Sequence, residues 1–198
     1  LLKNRIDMIS DKINFESNFL DLGCSTGWNS FELYNRGAHS VIGVDNNSGD
    51  NSYQRRENHQ LFMANNLLTY HNINDNKIKF IESDILEYLR SVKNTFDYIL
   101  CFLVLHHFMA KINDESPTFR FLRNNKYLSN IGVEIIKKIK SKSRECFLQI
   151  RTKVVGPELK KEQTQIIKNY LIKDIGFQSV EIIHNDKISY WPIEIEPV

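Results

Sequence analysis

The sequence predicts an α/β fold with a mainly parallel sheet, and three observations carry that expectation. Short apolar runs alternate with stretches of helical period along the whole chain. The first apolar run ends on a glycine-rich turn that leads straight into a helical stretch. The last two β-type segments are joined too closely for a parallel crossover, so that pair must be antiparallel. With 198 residues, 41% of them hydrophobic and 25% charged, the chain fits one globular domain, 1–198, able to bury about two-thirds of its unfolded surface.

Each element follows from local pattern. Residues 1–13 space their apolar side chains for an amphipathic helix. Phe19–Leu22 is a short buried strand ending at Gly23, and helical spacing resumes over Trp28–Asn35 until Gly37. Val41–Val44 forms the second strand, closed by the acid Asp45. Tyr53–Tyr70 reads as a polar helical crossover, Lys77–Glu82 as the third strand, and Ile85–Val92 as a short helix after the turn Ser83-Asp84. The run Phe96–Leu105 begins as a fourth strand, while 109–125, with Pro117, is irregular and reads as a loop or lid. Tyr127–Lys140 is helical, with Ile131, Ile135, Ile136 and Ile139 on one side. Glu145–Arg151 is the fifth strand and Lys160–Asp174 a helix ended near Gly176. Phe177–His184 and Lys187–Trp191 close the chain around the turn Asn185-Asp186.

Charge is unevenly placed. Residues 1–100 carry 10 basic and 13 acidic side chains, net −3, and 101–198 carry 16 and 11, net +5. Within 111–153 the count is 11 against 4, a basic surface that either attracts an anionic acceptor or is a solvated helix face. No apolar run approaches the ~20 residues of a membrane span, and no signal peptide precedes the first strand. The first residue is Leu1, so a trimmed N-terminus and a lost upstream segment stay open. Cys24, Cys101 and Cys146 lie in or beside apolar runs without metal-ligand spacing. They read as reduced core residues of a cytoplasmic protein, and no metal is expected.

The chemistry gathers at the ends of the strands. Phe19-Leu20-Asp21-Leu22-Gly23-Cys24-Ser25-Thr26-Gly27 is a glycine-rich turn before a helix, where backbone N–H groups and a helix N-terminus can face a ligand. Alone, such a turn could hold a dinucleotide, a mononucleotide or S-adenosylmethionine. A dinucleotide fingerprint needs glycine where this chain has Ser25 and Trp28, and Trp28 is too bulky for close helix–strand packing. Asp21 would repel a pyrophosphate and welcome a sulfonium with its ammonium. No phosphate-binding G-x-x-x-x-G-K-[ST] loop exists. Asp45, 22 residues after Gly23, can accept both hydroxyls of a ribose, or can cap a turn before Asn46. Asp84 can accept from an adenine amino group while Ile85 packs on the ring, or can cap the following helix.

In order and spacing, Asp21–Gly27, Gly43-Val44-Asp45, Glu82-Ser83-Asp84-Ile85 and Phe96–Cys101 with Leu103–Phe108 resemble the class I S-adenosylmethionine-dependent methyltransferase family. The resemblance runs over nearly the whole chain. It implies a doubly wound, Rossmann-like sheet of seven strands ordered 3-2-1-4-5-7-6, strand 7 antiparallel, with helices on both faces. It also implies a cofactor, S-adenosyl-L-methionine. Its methionyl part would lie on the loop of Gly23, Cys24, Ser25 and Gly27 with Asp21 and Trp28, its ribose at Asp45 with Asn46, and its adenine at Asp84 and Ile85. The backbone around Cys101 and Phe102 would line the methyl donor.

Two departures stand out. Ser25 replaces the middle glycine, which the turn accepts if its φ is negative. Ser141-Lys142-Ser143-Arg144 replaces the usual Pro-Gly-Gly before strand five. Cys101-Phe102-Leu103-Val104 stands where amino-methyltransferases resemble one another in [NDS]-P-P-[YFW], and no Pro-Cys nucleophile is present, so methylation of DNA bases is not expected.

His106 and His107 follow the fourth strand. One of them, preferably His107, could take the acceptor's proton, since imidazole titrates near neutrality, or either could hold the loop by hydrogen bonding. If the segment is extended, the two point to opposite faces. The expected acceptor is a small or medium-sized molecule methylated on oxygen, such as a sugar or other cell-surface precursor. The alternatives are an RNA or protein methyltransferase, on the basic excess of 111–153, and a cofactor-binding non-catalytic module of a larger assembly. The acceptor site would be built from 46–60, 107–126 and 152–162.

Overall fold

The computed structural model describes residues 5–46, 60–74, 76–102, 104–108, 129–151, 157–183 and 190–196. These fall in two compact units that meet in sequence between Leu100 and Cys101.

The first unit holds α1 (Arg5–Ile9), β1 (Asn18–Leu22), α2 (Trp28–Asn35), β2 (Ser40–Asp45), α3 (Gln60–Tyr70), β3 (Ile78–Glu82), α4 (Ile85–Ser91) and the start of β4 (Phe96–Phe102). Its strands are ordered β3-β2-β1-β4. β1, β2 and β3 are parallel, with Leu22 beside Val44 and Asp45 beside Glu82. That register brings the carboxyl ends of three strands level, which is where open parallel sheets place their ligands. Phe19, Leu20, Leu22, Val44, Ile78 and Ile99 are buried, because strands covered on both faces are apolar in runs. Ile6 and Ile9 of α1 and Leu33 of α2 add to this core.

Beside it, the N–H of Asn18 donates to Asp97 Oδ2 at 2.9 Å, and Phe19 stacks on Tyr98 with ring centroids 5.2 Å apart. Arg36, at the C-terminus of α2, pairs with Glu32 and Asp7 and lies over the Phe15 ring. Gly37, at φ 97°, then ends the helix in the left-handed region.

The second unit holds a 3₁₀ turn (Leu105–Phe108), α5 (Asn130–Lys142), β5 (Ser143–Arg151), α6 (Pro157–Tyr170), a π turn (Leu171–Ile175), β6 (Ser179–Ile182) and β7 (Tyr190–Glu196). Its strands are ordered β5-β7-β6, and β7 is antiparallel to both neighbours. Ser129 caps α5, its Oγ accepting from the Gly132 N–H at 3.1 Å. Ile135, Ile136 and Ile139 bury one stripe of that helix. Where a Pro-Gly-Gly loop is usual, α5 passes into β5 with no loop at all. Ser143 makes the corner, its Oγ donating to the Ile139 carbonyl at 2.9 Å.

Several expectations are corrected. The first helix is confined to Arg5–Ile9 within the described residues. The last strand is Tyr190–Glu196 rather than Lys187–Trp191. Pro192, which has no N–H to donate to a ladder, lies within that strand opposite Gln149. Ile131 is 52% exposed, off the buried stripe of α5. The crossover before β3 is not polar over 60–70: α3 carries no charged residue and reads Gln-Leu-Phe-Met-Ala-Asn-Asn-Leu-Leu-Thr-Tyr. The expected lid at 109–125 and the turn Asn185-Asp186 lie outside the described residues.

Candidate active site

The site in the first unit grows from three consecutive βα turns. After Leu22 the chain turns sharply: Gly23 has φ 70°, Ser25 φ 54° and Gly27 φ 79°. The condition set for a serine here, a negative φ, is therefore not met. A serine in the left-handed region is uncommon and costs free energy that glycine would not. A hydrogen bond offsets the cost, since the Ser25 N–H donates to Asp45 Oδ2 at 2.9 Å.

Asp45 joins all three turns. Its carboxylate holds the first, and its carbonyl accepts from the Ser83 N–H of the third at 3.0 Å. The Gly23 and Cys24 N–H groups bond the Val44 carbonyl at 2.8 and 3.2 Å. Asn46 follows and is exposed. Asp84 is the N-cap of α4, its Oδ1 accepting from the N–H groups of Leu86 at 2.8 Å and Glu87 at 3.1 Å. The capping role foreseen as the alternative for Asp84 is thus real, and one of its oxygens is committed to it.

Asp21 lies beneath the turn and only 1% exposed. Its Oδ2 accepts from Ser30 Oγ at 2.7 Å, while Oδ1 has no hydrogen-bond partner. Burial pushes its carboxyl up from 3.8 to about 7, against the opposing pull of the Ser30 hydrogen bond and of Arg5. Burial also drives the Cys24 thiol far up, with Asp21 and Asp45 adding to it, so Cys24 is an inert thiol. Ser30 was not singled out in the sequence. Its position in the third turn-facing place of α2 was the available signal.

Packing fixes the turn from below. A Cβ on Gly27 would stand 2.4 Å from Phe80 Cζ, and one on Gly43 would stand 2.6 Å from Phe80 Cδ1 and 2.9 Å from Cys24 Sγ. The Phe80 ring thus fills the notch that two glycines leave, and it meets Phe31 with centroids 5.4 Å apart. Phe80, too, was missed, because nothing local in Ile78–Glu82 marks it. Trp28 opens α2 and is 70% exposed. No side chain caps that helix end, since the N-cap is Gly27, so its first N–H groups face the turn without a capping oxygen. Ile85 is buried.

Asp21, Gly23, Cys24, Ser25, Gly27, Trp28, Asp45, Asn46, Asp84 and Ile85 are thus brought to one end of the sheet in the first unit. In the second unit Cys101 and Phe102 are buried at the end of β4. His106 and His107 fall in the 3₁₀ turn rather than in an extended segment. Their side chains lie outside the described residues, as do most of 46–60, 107–126 and 152–162. Among the described residues, no cluster of ligating side chains could hold a metal ion. No described helix is long and apolar enough to cross a membrane.

No curated protein matches the chain. Among solved structures it is similar to the bifunctional kinase-methyltransferase WbdD, at 17% identity and a TM-score of 0.62, over 98% of this chain and 39% of that one. It is similar to an O-methyltransferase family protein from Burkholderia thailandensis, at 12% identity and 0.62, over 97% and 55%. It is also similar to magnesium protoporphyrin IX methyltransferase (ChlM) from Synechocystis PCC 6803 with bound SAH, at 17% and 0.56, over 91% and 73%. The chain spans about two-fifths of the length of WbdD. At such identities these likenesses speak for the fold. The family described as "Methyltransferase domain" matches residues 13–173. With that match over a parallel sheet carrying acid-bearing turns, the chain belongs to the class I, Rossmann-like family of S-adenosylmethionine-dependent methyltransferases.

Proposed function

We propose that this chain methylates the oxygen of a small or medium-sized acceptor, such as a sugar or other cell-surface precursor, with S-adenosylmethionine as donor. The observation that carries the reading is the junction of three turns through Asp45, with a buried carboxylate below it and an uncapped helix N-terminus beside it. The residues fit such a donor. The unpartnered Asp21 oxygen suits a cationic group, and the α2 N-terminus suits a carboxylate. When bound, the donor supplies an electrophilic methyl on a sulfonium. Asp45 and Asn46 would hold the ribose, and the second oxygen of Asp84 with Ile85 would meet the adenine. Cys101 and Phe102 would close the donor pocket by their backbone.

Holding the acceptor in line supplies much of the rate in a displacement of this kind. An alcohol is weakly acidic, so a base is needed, and an imidazole nitrogen of His107 would take the proton, with His106 as the neighbouring candidate. We read the strand runs β3-β2-β1-β4 and β5-β7-β6 as halves of one domain with the sheet order 3-2-1-4-5-7-6 and helices on both faces. The antiparallel β7 supports that order. The similarity to an O-methyltransferase family protein favours oxygen as the acceptor atom.

Calorimetry should find S-adenosylhomocysteine bound and NAD not, and the reverse order would sink the reading. Asp45→Ala should weaken S-adenosylhomocysteine by about 2–4 kcal/mol through lost charge-assisted hydrogen bonds. An unchanged dissociation constant would leave Asp45 a turn residue only. Mass spectrometry of a metabolite extract incubated with the protein and isotope-labelled donor identifies the acceptor. Label appearing in RNA or protein instead would replace the small-molecule reading.

A further inference from the structure

α3 is apolar on two opposite sides. Leu61, Ala64 and Leu68 are buried, and the helix lies along β3, the outermost strand of its run. On the other side Phe62, Met63, Leu67 and Tyr70 are 51%, 47%, 41% and 80% exposed. Only Trp28 and Ile131 are as large, apolar and exposed among the other described residues. A helix apolar all round is normally buried all round.

At about 100° per residue, Phe62, Met63, Asn66, Leu67 and Tyr70 share an arc of about 140° centred opposite the buried stripe. Met63, Leu67 and Tyr70 have the i, i+4, i+7 spacing by which one helix receives another. We propose that this face of α3 pairs with the same face of a second copy of the chain, the two helices antiparallel about a two-fold axis near Asn66.

Three features favour an identical copy. No residue from Gln60 to Tyr70 is charged, so two such faces meet without like-charge repulsion, as an isologous contact requires. Asn66 lies within the arc and near the middle of the helix's length, and an amide is both donor and acceptor, so it is its own complement across the axis. A membrane surface is a poorer occupant, because interfacial helices carry Lys and Arg on the polar face, and α3 carries none. The four side chains expose roughly 400–500 Å² in total, taking about 150–250 Å² for a whole aromatic. That is more than half of the ~800 Å² each partner buries in a standard interface. A face of that size suits a weak, concentration-dependent self-association.

Sedimentation velocity from about 1 to 300 µM, a span that brackets micromolar affinity, should show the mass rising to that of a dimer. Leu67→Glu and Met63→Glu should remain monomeric throughout, with unchanged circular dichroism, since both side chains point outward. Ile131→Glu, outside α3, should dimerise as the parent does. As a check independent of any destabilised variant, Asn66→Cys should form a disulfide-linked dimer under mild oxidant. The three native cysteines are all buried and leave the parent uncrosslinked. A parent chain that is monomeric at the highest concentration overturns the proposal. So do α3 variants that still dimerise, or flotation of the parent with phosphatidylcholine–phosphatidylglycerol vesicles that Leu67→Glu abolishes.

Discussion

On the proposed reading, two side chains set how the protein responds to pH. Asp21 is protonated more readily folded than unfolded, because burial lifts its carboxyl from 3.8 to about 7. The folded state therefore binds more protons between those values, and stability must fall as pH rises from about 4 to about 7. The sign is opposite to that of a paired surface carboxylate. A shift of about three units corresponds to roughly 4 kcal/mol lost across that window. Denaturant melts of Asp21→Asn should lack this limb and exceed the parent in stability at pH 8. A parallel slope in both proteins would refute the account. The second side chain is His107. As the base, His107→Ala should cost about 10²–10⁴ in turnover with little change in donor affinity, and should lose the rise in rate through the imidazole range. If His106→Ala is the slower enzyme, the roles are exchanged. A loss of only a few-fold in both leaves positioning alone. Of the site residues, those fixed by local chemistry were legible in the sequence: Gly23 and Gly27 by their turn, Asp45 and Asp84 by ending or following a strand. Ser30 and Phe80 were not, because their partners lie on other elements, Asp21 on β1 for Ser30 and Gly43 on β2 with Gly27 beyond it for Phe80.

At the scale of elements, β2 and β3 are fitted to each other through one ring. Gly43 lies within a strand at an ordinary φ, so any side chain there is opposed by packing and not by backbone strain. Gly43→Ala should destabilise the protein by about 1–3 kcal/mol, the usual cost of overfilling a close-packed interior. Phe80→Leu in the same protein should recover part of the loss, and the double-mutant cycle should show coupling between the two positions. Strictly additive effects would mean that Phe80 does not occupy the notch. Strand and helix positions were largely predictable because their periods, two and 3.6, are written locally. Two expectations failed. Pro192 sits inside β7, although proline is usual at strand ends and edges, and α3 exposes apolar residues within a crossover read as polar.

At the scale of the whole molecule, the parallel run β3-β2-β1 brings three acid-bearing turns to one end of one sheet, and that juxtaposition was foreseeable from the turns in order. The acceptor was not legible, since the segments proposed to build its site have no regular period to read. One further feature bears on the chain as a whole. Because α5 enters β5 without a loop, Ser143 closes one element and opens the next. A joint with no slack cannot absorb an insertion. One added residue between Lys142 and Ser143 would turn the helix by about 100° relative to the strand, carrying Ile135, Ile136 and Ile139 off their contacts. A single glycine inserted there should lower the melting temperature more than the same glycine placed after Gly37, where a Cβ would meet nothing within 4 Å, and equal losses at both points would contradict this. In evolutionary terms the corner is a frozen length: descendants of this chain must keep the count where α5 meets β5.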